Sequence, residues 1–471
     1  MRRGDAKLIV FGAASGSSLV GRGPYAHALI ALSALIAVGA AGAAVVAGPL
    51  ALAIPVALAA CAFAVAYPPA LVAAFVFVPF FEAAPFVRSI PFDPTVSLGA
   101  LLLAVYVYRL SAHRVARPPA GFAIPMLAIG IAMAVGLLGT SEPAYGGEKV
   151  LKYFTVTAVA VAAPFFVIRT RAEVVQFVSA IAVGGLLVAL ATPLTEPTVV
   201  AGITTQYDLQ GRYSFGGQIF PARFLCTAAL VLFVLPGFTR ARWRYLAPLA
   251  AAGVTFVALG YGARGPIAAF AGALAAVGLL SALRAPRQAV LVLVVVMVGG
   301  MVLPFVSLPG QSAERLAEVV TDPVGALSGD TRAAVYSKAL ELTAEHPLTG
   351  IGTGGFFTYT SIVSQPKFPV KYPHNIFLEL SSEVGIGPAI LLALPILAGI
   401  ASLLRRLRTT RDPADRHLLT LLMGLFLLNF LATQFSGDIN DNRTFFLFLA
   451  LIWLVGRDGL PRPSSTDAAQ P

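Results

Sequence analysis

Runs of about twenty apolar residues recur along almost the whole of this 471-residue chain, and that is the length an α-helix needs to cross the hydrocarbon of a bilayer. Inside lipid every backbone N–H and C=O must be bonded within the chain, so each such run has one stable form, the helix. Breakers and charges between the runs place spans near 26–47, 50–67, 69–86, 95–110, 120–139, 149–168, 173–194, 218–236, 245–262, 265–283, 288–307, 385–404, 417–435 and 444–457. The expected fold class is all-α: a polytopic integral membrane protein of about 12–14 transmembrane helices with one long loop containing short helices. Charged residues make up 12% of the chain, about half of what a soluble domain carries, which excludes a soluble reading. The expected boundaries are a cytoplasmic tail at 1–25, a transmembrane bundle at 26–307, the long loop at 308–384, further transmembrane helices at 385–457 and a cytoplasmic tail at 458–471.

The net charge of +11 does not point to nucleic acid, because the basic residues come in small groups between apolar runs. Alternate loops carry Arg109, Arg114 and Arg117; Arg169 and Arg171; Arg240, Arg242 and Arg244; Arg284 and Arg287; and Arg405, Arg406, Arg408, Arg411 and Arg416. With the basic residues of both tails, these loops hold the majority of the 33 lysines and arginines, and basic loops stay cytoplasmic. Both termini are therefore expected in the cytoplasm of a multi-pass inner-membrane protein. No cleavable signal peptide is expected, since no A-x-A-like site follows a short isolated apolar run. Cys61 and Cys226 both fall inside apolar runs and read as small core residues.

The loops of opposite parity are the long polar ones: 140–148, 195–217, the GARGP turn near 263, 308–384 and GDINDNR at 437–443. A site in water is therefore expected on the extracytoplasmic side, where no nucleotide is available. Four features there carry chemistry: Arg212 in GRYSFGG, Arg264 in YGARGP, Arg332 at the start of a helical stretch, and His374 in PHNIFLELSSEVGIG. A charge at a membrane boundary is costly unless it is paired or used. Guanidinium, always charged and with planar paired donors, suits a phosphate, so three arginines on one side form a candidate diphosphate clamp. The same arginines also fit snorkelling or surface ion pairing. His374 reads either as a helix N-terminal residue or as a group able to accept a proton near neutral pH. Asn375, Glu379 and Glu383 share one helix face, Glu383 either orienting His374 or an arginine or facing water. The glycines of GIGTGGF at 350–356 lack the strand and the Lys-Ser/Thr pair of a phosphate loop and read as a tight turn.

Taken together, Arg332 through Phe356 (RAAVYSKALELTAEHPLTGIGTGGF) and His374 through Gly387 (HNIFLELSSEVGIG) resemble the signature of the O-antigen ligase and polymerase superfamily. YGARGP at 261–266 is similar to the family's Ser-Arg-Gly motif, with Ala263 at the hydroxyl position. GRYSFGGQIFPARF at 211–224 is similar to its Arg-x-x-Gly-x-x-x-x-Pro-Asn block, with Ala222 in place of Asn. The resemblance covers roughly residues 205–400. It implies a GT-C-type membrane glycosyltransferase that moves a glycan from a polyprenyl-diphosphate carrier to an acceptor hydroxyl, with inversion and without a metal or other cofactor. Its implied partners are that lipid-linked donor, a lipid, glycan or protein acceptor, and the bilayer, with no nucleic acid. On this chain it would make His374, Arg332 and Arg264 catalytic, with Arg212, Asn375 and Glu383 in substrate binding or support. The competing expectation is a transporter or flippase for an anionic lipid-linked or soluble substrate, which would place its ionisable groups near the bilayer midplane.

Overall fold

The computed structural model describes residues 66–78, 93–112, 115–191, 199–200, 203–204, 219–235, 243–261, 263–282, 331–362, 371–435 and 437–459. The spans expected at 26–47 and 288–307, residues 50–65 of that at 50–67, residues 79–86 of that at 69–86, and Arg212 lie outside these residues. In chain order the helices are α1 (Pro68–Phe77), α2 (Pro94–Ser111), α3 (Ala120–Gly136), α4 (Pro143–Phe166), α5 (Arg171–Ala191), α6 (Ile219–Val234), α7 (Trp243–Gly260), α8 (Arg264–Ala282), α9 (Thr331–Glu345), α10 (Ile376–Val384), α11 (Ile386–Thr409), α12 (Pro413–Ala432) and α13 (Arg443–Asp458). Seven of these segments are long and apolar enough to cross a membrane. The protein is all-α and polytopic, apart from a hairpin of two two-residue strands, β1 (Val199–Val200) and β2 (Ile203–Thr204), paired antiparallel.

Helix starts follow local chemistry. Asp93 and Asp412 each precede a proline at the first helical position and accept backbone N–H groups of the first turn, Asp93 from Thr95 and Val96 and Asp412 from Ala414. α4 is continuous through a π-helical turn at Tyr153–Thr157, and it begins six residues before the expected span because Pro143 starts the helix ahead of the apolar run. α11 likewise runs beyond its expected end to Thr409, so Arg405, Arg406 and Arg408 sit on its last turns, where the helix dipole favours cations.

α13 is the axis of the bundle. Phe445, Phe446, Leu447, Phe448 and Leu449 are all fully buried, and a helix that is apolar all round belongs in a core. It packs against α4, α11 and α12, while α6 packs against α5, α7, α8 and α12. Gly185 lets α5 meet α6: a Cβ there would stand 2.1 Å from the Ala228 Cβ, the close approach that small residues permit between membrane helices.

The bundle has two chemically distinct ends. At one, Arg109 pairs with Glu173 at 2.8 Å, Arg171 pairs with Asp415 at 2.8 Å, and the Arg406 guanidinium lies against Gly459. At the other lie the start of α4, the starts of α6, α8 and α13, the end of α12, and α9, α10 and the GIGTGGF turn. The segment 437–443, expected as an exposed polar loop, is instead a buried tether. Asp438 Oδ1 accepts the Asn440 and Asp441 N–H groups, and the Asn440 amide donates to the Lys149 carbonyl on α4 at 2.9 Å. Its polar groups find partners within the protein, so the segment need not face water.

Candidate active site

The polar end is organised around the turn that follows α12. Tyr336 of α9 donates its hydroxyl hydrogen bond to the Gln434 carbonyl at 2.6 Å, and Arg332 stands one helical turn, about 6 Å of rise, before Tyr336. The Asn375 amide donates to the Gln434 side-chain oxygen at 3.1 Å. Gly265, next to Arg264 at the start of α8, packs so closely on Phe435 that a Cβ would stand 2.9 Å from the Phe435 Cβ. The backbones that carry Arg264, Arg332 and His374 thus converge on Gln434 and Phe435. Arg264 is half-buried.

His374 is the one described non-glycine residue with positive φ, at 59°, a conformation that costs energy and gathers at functional sites. It directly precedes Asn375, the N-cap of α10, whose side-chain oxygen accepts the N–H groups of Phe377 and Leu378 at 3.0 and 3.1 Å. The imidazole is half-buried and meets the Tyr372 ring edge-on, centroids 4.6 Å apart. Asn375 therefore has a structural duty at both ends of its amide, holding the helix start and fastening it to α12.

Glu383 neither orients His374 nor faces water. It is buried, and its Oε2 accepts the Lys149 ammonium at 2.6 Å and the Gly354 N–H at 2.8 Å. Glu379, one turn earlier, holds the same ammonium at 2.5 Å. Burial pushes the Glu379 carboxyl up to about 8 against the opposing pull of Lys149, and pushes Glu383 upward for the same reason. With one ammonium between two carboxylates in a desolvated pocket, retaining one proton leaves the group neutral. Burial and the neighbouring Asp438 push Asp441 up to about 7, and burial raises the Tyr372 phenol.

The glycines of GIGTGGF act through this network. Gly350, Gly352 and Gly354 all have positive φ, and their backbones pack on Glu383 and Val384, on Thr140, and on Gly146 respectively. Thr353 completes the clasp by donating to the Met133 carbonyl at 2.7 Å. The motif docks the long loop onto α3, α4 and α10.

Two buried cations escaped the reading of the sequence. Lys149 lies at the polar start of α4, 1% exposed, and Arg223, 3% exposed on α6, donates to the Asn442 side-chain oxygen at 2.7 Å. The signal for Arg223 was a lone cation within an otherwise apolar helix, which must be paired to be tolerated; Lys149, beside Glu148 and Lys152, gave no such signal. Among the described residues, no group of three or more His, Cys, Asp or Glu side chains is arranged to hold a metal ion.

Fold and site define a multi-pass α-helical membrane protein with an ionic network gathered at one end of its bundle. Within that class, residues 249–394 match the family model described as O-antigen ligase, and this bears out the superfamily resemblance carried by the motifs. The matched stretch holds Arg264, Arg332, His374, Asn375, Glu379 and Glu383, whereas Lys149, Arg223 and Gln434 lie outside it. No curated protein matches the chain.

Proposed function

We propose that this protein is a glycosyltransferase of the O-antigen ligase and polymerase type, moving a glycan from a polyprenyl-diphosphate carrier to an acceptor hydroxyl at the extracytoplasmic face of the cytoplasmic membrane. The observation that carries the reading is the convergence of three elements on the Gln434 turn: α8 bearing Arg264, α9 bearing Arg332, and the α10 start bearing His374. Arg264 and Arg332, with Arg212, hold the diphosphate and stabilise the charge that develops as it leaves. His374 orients the acceptor hydroxyl and takes its proton as the oxygen attacks the anomeric carbon from the face opposite the diphosphate, so configuration inverts. The new glycosidic bond forms as the bond between sugar and diphosphate breaks, and the carrier leaves as polyprenyl diphosphate. The fixed cations carry the leaving-group charge, so the reaction proceeds without a metal. The acceptor is a lipid-anchored core sugar or protein hydroxyl for a ligase and the end of another glycan for a polymerase.

The test is transfer by the purified protein from a polyprenyl-diphosphate-linked oligosaccharide to candidate acceptors in EDTA. Turnover that survives chelation and collapses in Arg264→Ala, Arg332→Ala and His374 variants supports the assignment. Transfer abolished by EDTA overturns the metal-free mechanism, and full activity in the arginine variants overturns the clamp.

A further inference from the structure

The end of the bundle opposite His374 carries a second constellation. A pocket of about 330 Å³ opens where α11 passes into α12, lined by Arg406, Thr410, Arg411, Asp412, Asp415 and Leu419 among others. Its two carboxylates are already engaged: Asp412 caps α12 through the Ala414 N–H at 2.8 Å, and Asp415 accepts from Arg171 at 2.8 Å. Arg416 is turned to the Thr410 carbonyl at 2.6 Å. Arg406 and Arg411 are exposed, and among the described residues no carboxylate pairs with either. The pocket therefore offers two guanidinium groups whose donors suit a phosphate.

What leads to the pocket indicates where that phosphate comes from. Ile386, Ile390, Leu394 and Leu397 on α11 are 41–64% exposed, and the exposed row continues at three- and four-residue steps through Ala401 to Arg405 and Arg408. A helix face of that kind in a membrane protein faces acyl chains. It ends in cations at the level where headgroups lie. We propose that the pocket between α11 and α12 binds the phosphate of an anionic phospholipid headgroup, with the acyl chains lying along the exposed face of α11. Arg406 and Arg411 grip the phosphate, and Arg405 and Arg408 add to the field that draws it in. This proposal does not depend on the transferase reading, because it concerns the other end of the molecule.

The experiment titrates the full chain, in detergent micelles, with phosphatidylglycerol or separately with phosphatidylcholine, reading the rise in thermal midpoint. Phosphatidylglycerol is expected to raise the midpoint and phosphatidylcholine to leave it unchanged. Each arginine replaced by glutamine weakens the apparent affinity about fivefold, and the Arg406→Gln/Arg411→Gln pair about 25-fold. Lys338→Gln, at the polar end, leaves the effect intact. An unchanged midpoint of the double variant in phosphatidylcholine micelles certifies its fold; should it not fold, Arg411→Gln alone, on the exposed connector, replaces it. Equal responses to the two lipids, or a variant as responsive as the parent, overturns the site. Inorganic phosphate that alone reproduces the shift overturns the lipid assignment.

Discussion

The Lys149 ammonium lies 2.6 Å from the Glu383 carboxylate although the two residues are 234 positions apart in the chain, and both side chains are buried. That contact joins the start of α4 to the end of α10, and through the Gly354 N–H it also holds the GIGTGGF turn. α10, which follows His374, is thereby fixed at its far end by an ion pair and at its near end by the bond from Asn375 to Gln434.

Lys149→Met keeps the stem of the side chain and deletes the charge, stranding two buried carboxyl groups. Removing one partner of a buried pair costs about 3–5 kcal/mol, so the variant is expected to unfold at a clearly lower temperature in detergent. Adding Glu379→Gln and Glu383→Gln to it removes the stranded charges and is expected to recover part of the loss. Equal midpoints for Lys149→Met and the parent would show that the pair contributes nothing to holding α10.

Glu379 gives the fold a pH dependence whose sign follows from its proton. Burial raises its carboxyl from 4.5 to about 8, so between those values the native state holds a proton that the unfolded chain has lost. Its contribution to stability is present below about 4.5 and is lost as the pH rises through about 8. Glu379→Gln, which mimics the protonated acid, is expected to flatten the fall in thermal midpoint over that window. A variant profile that keeps the parent's slope would place the titration elsewhere.

Much of this was legible before any coordinate. The α2, α3, α5, α8 and α13 spans fall within a few residues of the apolar runs that announce them, because period and length are read directly from composition. The helices α9 and α10 are likewise visible inside the long polar segment. What pairs with what was not legible: Glu383 lies on a helix face that equally suits solvent, and only the tertiary fold shows that it meets a lysine at the start of a distant span. Nor does GDINDNR reveal its burial, since its asparagines and aspartates satisfy one another and the Lys149 carbonyl only after the chain has closed.

Gly350 tests the clasp. Its φ is +62°, and a Cβ there would stand 2.3 Å from the Glu383 carbonyl carbon, a backbone contact that no rotamer change relieves. Gly350→Ala is expected to cost more than about 1 kcal/mol, combining left-handed strain with the clash. Limited proteolysis of the long loop is the sensitive readout: faster cleavage near residues 350–362 is expected, while an unchanged rate would mean that the turn is not what docks the loop.

His374 requires a substitution that separates its ring from its backbone. Alanine at φ 59° adds conformational strain to the loss of the imidazole, whereas asparagine tolerates the left-handed region and cannot act as a base near neutral pH. His374→Asn is therefore expected to keep the parent's thermal midpoint while glycan transfer falls by about 10²–10⁴-fold, the usual worth of general-base help. Arg264→Ala and Arg332→Ala, by deleting charge stabilisation at the leaving group, are each expected to lower transfer by about 10²–10³-fold. The two kinds of loss have different pH signatures. A base must be deprotonated to act, so the parent's rate has an acid limb that rises with pH; that limb disappears in His374→Asn, while the arginine variants keep it. An asparagine variant that retains the limb would remove His374 from proton transfer and leave it as a residue that orients the acceptor hydroxyl.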